Sequence, residues 1–228
     1  MRVLAIMALM VVSALGLHAA AGAGTAQSER KARDNVEGFE AQIREIKGKA
    51  RQRMTGVSWH QGCPVALDHL RLIRTTFWDF DSERETGSIV VHENEAAEIV
   101  RVFRSLYRHR FKIRRMQLID RYDGSDHASM DADNSSGFNC RYITGTTTWS
   151  QHAFGRAIDI NPIENPYVTP SGHVSPPAGA LYADRSRDDK GMIHRGDHAY
   201  RAFAQEDWKW GGNWSGTKDY QHFSRNGR

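Results

Sequence analysis

Residues 150–159 read SQHAFGRAID, a stretch in which five residue types form the pattern S-x-H-x-x-G-x-A-x-D. The pattern places an imidazole, His152, and a carboxylate, Asp159, seven residues apart. Gly155 lies between them and allows a sharp backbone turn that other residues resist. Imidazole and carboxylate are zinc-type ligands, and catalytic zinc usually takes three protein ligands. The fold must therefore bring a third ligand to these two from elsewhere in the chain.

The third ligand is predicted near the C-terminus, where residues 219–222 read DYQH. His222 completes a His-Asp-His set, and His194 is the substitute if His222 is not a ligand. Asp219, three residues before His222, can act as general base if the backbone brings both side chains to one side. A regular strand would point them in opposite directions, so this role requires an irregular backbone.

A metal site with a general base can hydrolyse an amide bond, and in this reaction negative charge develops on the carbonyl oxygen. A positively charged group stabilises that charge. Arg141, at the end of the segment GFNCR, is the predicted partner of that oxygen or of a substrate carboxylate. The alternative for Arg141 is an ordinary surface arginine. Ser150 is predicted either to donate to the substrate backbone or only to orient the turn that carries His152.

Two further motifs accompany these residues, W-G-G-x-W at 210–214 and D-x-x-H-F at 219–223. Together with S-x-H-x-x-G-x-A-x-D they resemble the zinc D-alanyl-D-alanine carboxypeptidase family, which includes L-alanyl-D-glutamate peptidases of bacteria and phage endolysins. The resemblance covers roughly residues 57–224 and is strongest from Phe138 onward. It implies an α+β fold of the hedgehog/DD-peptidase type, with a small antiparallel sheet and flanking helices.

The resemblance also implies a site and a substrate. It implies one Zn²⁺ held by the residues matching His152, Asp159 and His222, with Asp219 as the base. The implied substrates are peptidoglycan stem peptides, cut either at the terminal D-Ala-D-Ala bond or at the internal L-Ala-D-Glu bond. The alternative from another class is a non-catalytic envelope-binding module with a structural zinc.

The N-terminus predicts export. Residues 1–23 combine a basic start, an apolar stretch at 3–17 and small residues ending in A-x-A, the pattern of a secretory signal peptide. An uncleaved anchor is the alternative, but a membrane span takes about 20 apolar residues. We therefore expect a protein of the periplasm or extracellular envelope, with no stable membrane insertion after cleavage.

The sequence has two cysteines, Cys63 and Cys140. An exported protein reaches an oxidising compartment, where such a pair can form a disulfide. We predict that they are bridged, with two buried free thiols as the alternative. The net charge of +4 is modest. The basic residues at 101–115 predict a solvated helix face, with adhesion to an anionic envelope as the alternative and nucleic-acid binding as the third choice.

The remaining pattern divides the chain into 1–23, an N-terminal extension at 24–56 and a peptidase domain at 57–228. Apolar spacing at 36–54 predicts an amphipathic helix, and residues 70–80 with 89–91 predict a hairpin. A helix capped by Asn94 is predicted to about residue 110, a strand at 115–122 and a helix at 197–206. Residues 123–137 and 163–190 are predicted as loops, the second as either a binding loop or an idle insertion.

Overall fold

The computed structural model describes residues 36–228, so the predicted signal peptide at 1–23 lies outside the described residues. Short strands and four α-helices, joined by 3-10 turns, make up the described chain. The fold class is α+β, as predicted, because the strands form small and mostly antiparallel sheets beside few helices. This arrangement is compatible with the DD-peptidase-like fold. No helix of the described part is both long and apolar enough to span a membrane.

The first sheet has three antiparallel strands in the order β1–β2–β3. They are Ala41–Glu45 (β1), Leu70–Trp78 (β2) and Arg84–His92 (β3). Strands β2 and β3 form the predicted hairpin, and their β-branched residues Ile73, Ile89 and Val91 are fully buried.

The helix predicted at 36–54 is wrong in its first half. Residues 41–45 pair along β2, and only Gly48–Met54 forms a helix, α1. A helix interior that contains glycine is weak, so pairing with the open edge of β2 prevails over the apolar spacing. Residues 38–228 form one compact unit, in which Ile46 and Met54 share a hydrophobic cluster with Leu67.

Helix α2, Ala96–Arg108, confirms the helix predicted after residue 94. Its buried face, formed by Ile99, Val102, Phe103 and Leu106, belongs to the main core. The predicted cap is wrong, since Asn94 lies inside the 3-10 turn Glu93–Glu95 and His92 Nδ1 accepts from the Asn94 backbone N–H. An imidazole thus performs the capping role that sequence preference gives to asparagine.

The middle of the chain differs most from the prediction. Strand β4 is only Arg115–Met116, and it pairs in parallel with β5, Asn134–Ser135. Residues 119–122 form a 3-10 turn instead of a strand. The segment predicted as a loop contains helix α3, Asp126–Asp131, whose N-cap Ser125 accepts from the Ala128 backbone N–H.

The site-bearing sheet has the antiparallel order β6–β11–β9. Its strands are Ala157–Asp159 (β6), His222–Ser224 (β11) and Lys209–Trp210 (β9). Phe223 of β11 stacks on Phe203 of helix α4, His198–Ala204, with ring centroids 3.9 Å apart. The short strands are therefore fixed by their buried aromatic side chains as well as by backbone pairing.

The predicted disulfide is confirmed. Cys63 and Cys140 are bonded, with their Cα atoms 5.8 Å apart and a sequence separation of 77. Cys140 also donates its backbone N–H to Ser58 O. The covalent link therefore ties the segment that leads to the S-x-H motif to the N-terminal part of the described chain.

Candidate metal centre and active site

Three buried side chains meet where β6 pairs with β11: Asp159, His222 and His152, which we call the ligand triad. Asp159 and His222 are direct cross-strand partners, and His152 lies in the 3-10 turn Gln151–Phe154 just before β6. Asp159 Oδ2 is 3.1 Å from His152 Nε2, and Asp159 Oδ1 is 3.0 Å from His222 Nδ1. The structure thus brings the predicted ligands together, and His194 is not in the group.

The S-x-H-x-x-G pattern has a local structural reason. Ser150 Oγ accepts from the His152 backbone N–H at 3.3 Å, so Ser150 caps the turn and orients the histidine. Gly155 ends the turn with φ +65°. A Cβ atom at Gly155 would lie only 2.5 Å from the backbone nitrogen of His92. The glycine is therefore required both by its backbone conformation and by close contact with β3.

A backbone carbonyl holds the outer nitrogen of each histidine. His152 Nδ1 is 2.6 Å from Gly137 O, and His222 Nε2 is 3.3 Å from Arg228 O. A carbonyl can only accept, so the hydrogen of each neutral ring resides on its outer nitrogen. The inner nitrogens, 3.3 Å apart, then present lone pairs to each other and to Asp159. Such a set of three acceptors suits a cation, and its donor chemistry fits zinc.

Asp159 provides the negative charge of the triad. Burial acts to raise the pKa of Asp159, but the adjacent His152 and His222 hold that pKa well below its usual range. Burial acts to lower the pKa of His222, and the hydrogen bond and charge of Asp159 outweigh it, so the pKa is raised. Asp159 is therefore ionised at neutral pH, which is the form that binds a metal ion.

Asp219 is placed by an irregular backbone, as its predicted role requires. It ends β10, Lys218–Asp219, and a bend at residues 220–221 separates it from His222 at the start of β11. Asp219 Oδ1 is shielded from solvent and has no hydrogen-bond partner among the described residues. Burial raises the pKa of Asp219 to about 6. A carboxylate with this pKa is ionised at pH 7 yet basic enough to accept a proton.

Two neighbours fix the position of Asp219. It pairs with Tyr167 of strand β7, Tyr167–Val168, and it contacts Gly211 of the W-G-G-x-W motif. A Cβ atom at Gly211 would lie 2.5 Å from Asp219 O and 2.9 Å from Asp219 Cβ. The motif glycine thus allows the aromatic turn to pack directly against the residue proposed as the base.

The segment 163–190 is an ordered neighbour of this strand. It contains β7 (Tyr167–Val168), β8 (Val174–Ser175) and a 3-10 turn at Pro177–Ala183, and the sheet order is β10–β7–β8. Arg185 holds the segment in place, because its guanidinium donates to the carbonyl oxygens of Glu164, Tyr182 and Ile193. The same guanidinium lies 4.3 Å from the ring centre of Tyr220, next to Asp219. The sequence did not reveal this role because most of the partners are backbone carbonyl oxygens.

Arg141 contacts α3 instead of the ligand triad. Its Nη2 is 2.9 Å from Asp126 Oδ2, and its side chain is 26% exposed. Its Nε is buried and has no partner within the described part of the chain. The backbone of Arg141 is close to the site, since Arg141 O accepts from the Ser150 N–H. Asp126 is therefore the observed partner of Arg141, and the sequence did not reveal it because its segment was predicted to be a loop.

A pair of buried carboxyl groups lies outside the site. Asp133 and Glu164 are both nearly inaccessible, and the half-exposed Arg114 is 3.4 Å from Asp133 Oδ2 and 3.6 Å from Glu164 Oε1. Burial, with a contribution from Asp133, raises the pKa of Glu164 to about 8. The pair therefore holds a proton at neutral pH, which avoids two adjacent buried negative charges.

The second half of the chain matches a known family. Residues 144–225 match the family model described as D-alanyl-D-alanine carboxypeptidase. The matched range contains the ligand triad and Asp219 and begins after Arg141. No curated protein and no solved structure matches the chain. The family match confirms the resemblance seen in the motifs, and it supports a peptidase of this family.

Proposed function

We propose that this chain is an exported zinc peptidase that hydrolyses peptidoglycan stem peptides as a D-alanyl-D-alanine carboxypeptidase. The observation that carries the proposal is the convergence of three metal-binding side chains, all within 4.8 Å of one another, beside Asp219. The family match over residues 144–225 supports the reaction class. The signal peptide predicted at 1–23 supports export to the compartment that holds this substrate.

In the proposed mechanism, His152, Asp159 and His222 hold the metal ion. A zinc ion, when bound, supplies a Lewis acid for the scissile carbonyl and lowers the pKa of water to about 7. Asp219 accepts the proton of the attacking water and returns it to the leaving amine. The Arg141 guanidinium pairs with the oxyanion or with the terminal carboxylate of the substrate.

Two other functions are alternatives to this one, and analysis of the reaction products distinguishes all three. Cleavage at the internal L-Ala-D-Glu bond would use the same residues, because the loops around a site decide which bond enters it. A non-catalytic envelope-binding module would need no base. Asp219 Oδ1, shielded and without a hydrogen-bond partner in residues 36–228, favours catalysis over such a module.

The test is digestion of purified peptidoglycan fragments by the protein, with and without zinc, and identification of the products by mass spectrometry. We expect zinc-dependent release of D-alanine. Cleavage after L-alanine would assign the chain to the endopeptidases instead. A folded, zinc-loaded protein that cleaves nothing would favour the binding module.

A matched pair of variants tests the base. Asp219→Asn keeps the shape of the side chain but cannot accept the proton, so turnover should fall by about 10² to 10⁴. Zinc content, measured as metal per chain, should stay at one ion in this variant. Asp188→Asn is the control, because Asp188 is an exposed residue of the 163–190 segment and should retain turnover. Retained turnover in Asp219→Asn would place the base elsewhere.

A further inference from the structure

A short hairpin at residues 142–149, which we call the aromatic arm, connects Arg141 to Ser150. Tyr142 and Trp149 pair across it, and their rings stack with centroids 4.0 Å apart and planes inclined by 23°. The Ile143 N–H donates to Thr148 O at 2.9 Å, which continues the hairpin toward its tip. The arm is therefore a hydrogen-bonded element with a defined aromatic pair.

The aromatic arm exposes apolar surface next to the site. Tyr142 is 47% exposed and Ile143 is 45% exposed, and they are adjacent in sequence. Trp149 is partly buried against the hydrophobic cluster that contains Phe138 and Cys140. Stacking on this anchored indole restrains the Tyr142 ring, so the ring forms a preorganised contact surface. Exposed apolar surface of this kind commonly marks a binding site.

The side chains of the aromatic arm are uncharged, aromatic or hydroxyl-bearing, and this composition favours a sugar as the ligand. Residues 142–149 read YITGTTTW and contain no charge, although charged residues make up 25% of the chain. An aromatic face is electron-rich and attracts the C–H groups on the apolar face of a pyranose ring. The threonine hydroxyls can both donate to and accept from sugar hydroxyls and N-acetyl groups. A carboxylate-rich peptide would instead be matched by cations.

The location of the aromatic arm connects this chemistry to the site. Its ends are Arg141 and Ser150, and Ser150 caps the turn that carries His152. Stem peptides of peptidoglycan are attached to N-acetylated amino sugars. We propose that the aromatic arm is a subsite for these sugars, with Tyr142 as the stacking surface. The inference rests on the proposed function, since the sugar is the part of the same substrate that is joined to the cleaved peptide.

The first test measures sugar binding without hydrolysis. Chitotetraose, a peptide-free chain of N-acetylglucosamine, is titrated into the metal-free protein while tryptophan fluorescence is recorded. Tyr142→Ala should weaken binding about tenfold, the typical contribution of one aromatic contact. Ile43→Ala is the matched control, because Ile43 is equally exposed but lies on β1, outside the aromatic arm, and this variant should bind as the wild type does. An absence of saturable binding, or unchanged binding in Tyr142→Ala, would overturn the proposal.

The second test asks whether the subsite serves the peptidase. The ratio of kcat/KM for a disaccharide-linked pentapeptide to kcat/KM for the free pentapeptide is measured in each variant. The ratio should exceed one in the wild type and in Ile43→Ala, and it should approach one in Tyr142→Ala. A loss in Tyr142→Ala that is equal for both substrates would assign the arm to the peptide and overturn the sugar subsite. If neither substrate is cleaved, the proposed function fails, while the chitotetraose titration still decides the binding chemistry of the arm.

Discussion

Replacing both Cys63 and Cys140 by alanine would remove a cross-link that spans 77 positions of the chain. A disulfide stabilises a fold mainly by restricting the unfolded chain, and the restriction grows with the logarithm of the loop length. For a loop of this length the chain-entropy relation gives about 4.5 kcal/mol at 25 °C. Domains unfold with only about 5 to 15 kcal/mol in total. We therefore expect the double variant to lose a large part of its stability.

The assay is equilibrium unfolding in urea, followed by the fluorescence of the six tryptophans. The free energy of unfolding is compared among the oxidised wild type, the reduced wild type and the double alanine variant. The reduced protein and the variant should agree within about 1 kcal/mol, because both lack the same restriction of the unfolded chain. Both should also show a larger dependence on urea, because an uncrosslinked chain exposes more surface when it unfolds.

A difference below about 1 kcal/mol between the oxidised protein and the double variant would refute the entropy argument. It would mean that the unfolded chain keeps the two ends of the loop together without the bond. A double variant that is as stable as the oxidised protein but binds zinc less tightly would lead to a different conclusion. It would show that the bond acts locally, through the segment whose Gly137 carbonyl holds His152.

Three further predictions concern Glu164, Arg185 and Asp126. Glu164→Gln should remove a pH dependence of the free energy of unfolding, because the pKa of Glu164 in the folded protein is about 8 and its ordinary value is 4.5. In the wild type this free energy should decline as pH rises between these two values, by up to about 1.4 kcal/mol per pH unit. An equal decline in the variant would contradict this assignment. Arg185→Met should lower the free energy of unfolding in urea by about 3 kcal/mol, because it leaves buried carbonyl oxygens without donors. Arg187→Met is the control, since it removes a more exposed ion pair and should lower that free energy by under about 1 kcal/mol. Asp126→Asn should raise KM for the stem peptide about fivefold with little change in kcat, because Arg141 loses the carboxylate that orients it. An unchanged KM would contradict a role of Arg141 in substrate binding.

The ligand triad could be predicted from the sequence because its chemistry is carried by side chains in one dense motif and one distant histidine. The motif glycine and serine have local roles, a left-handed turn at Gly155 and a cap at Ser150, which are also encoded locally. The bend between Asp219 and His222 was deduced as a requirement of the chemistry, and the structure contains it. Local patterns were therefore sufficient where the structure itself is local.

Prediction failed where distant backbone groups decide the structure. Residues 41–45 become a strand because β2 offers an unpaired edge, which their own apolar spacing does not indicate. The orienting acceptors Gly137 O and Arg228 O have no side-chain signal. The same holds for Arg185, whose partners are mostly carbonyl oxygens of residues brought near by folding. These contacts depend on tertiary structure, which a single sequence does not display.

Two members of the ligand triad lie on one sheet, and the proposed base lies on another. His222 and Asp159 belong to β6–β11–β9, and Asp219 belongs to β10–β7–β8, with only two residues joining β10 to β11. Inherited changes in the 163–190 segment can therefore move the base while the ligands keep their register. Under the proposed function, loss of hydrolysis and loss of the metal would then be separate evolutionary events, because a substitution in the second sheet can displace Asp219 and leave the ligand triad in place.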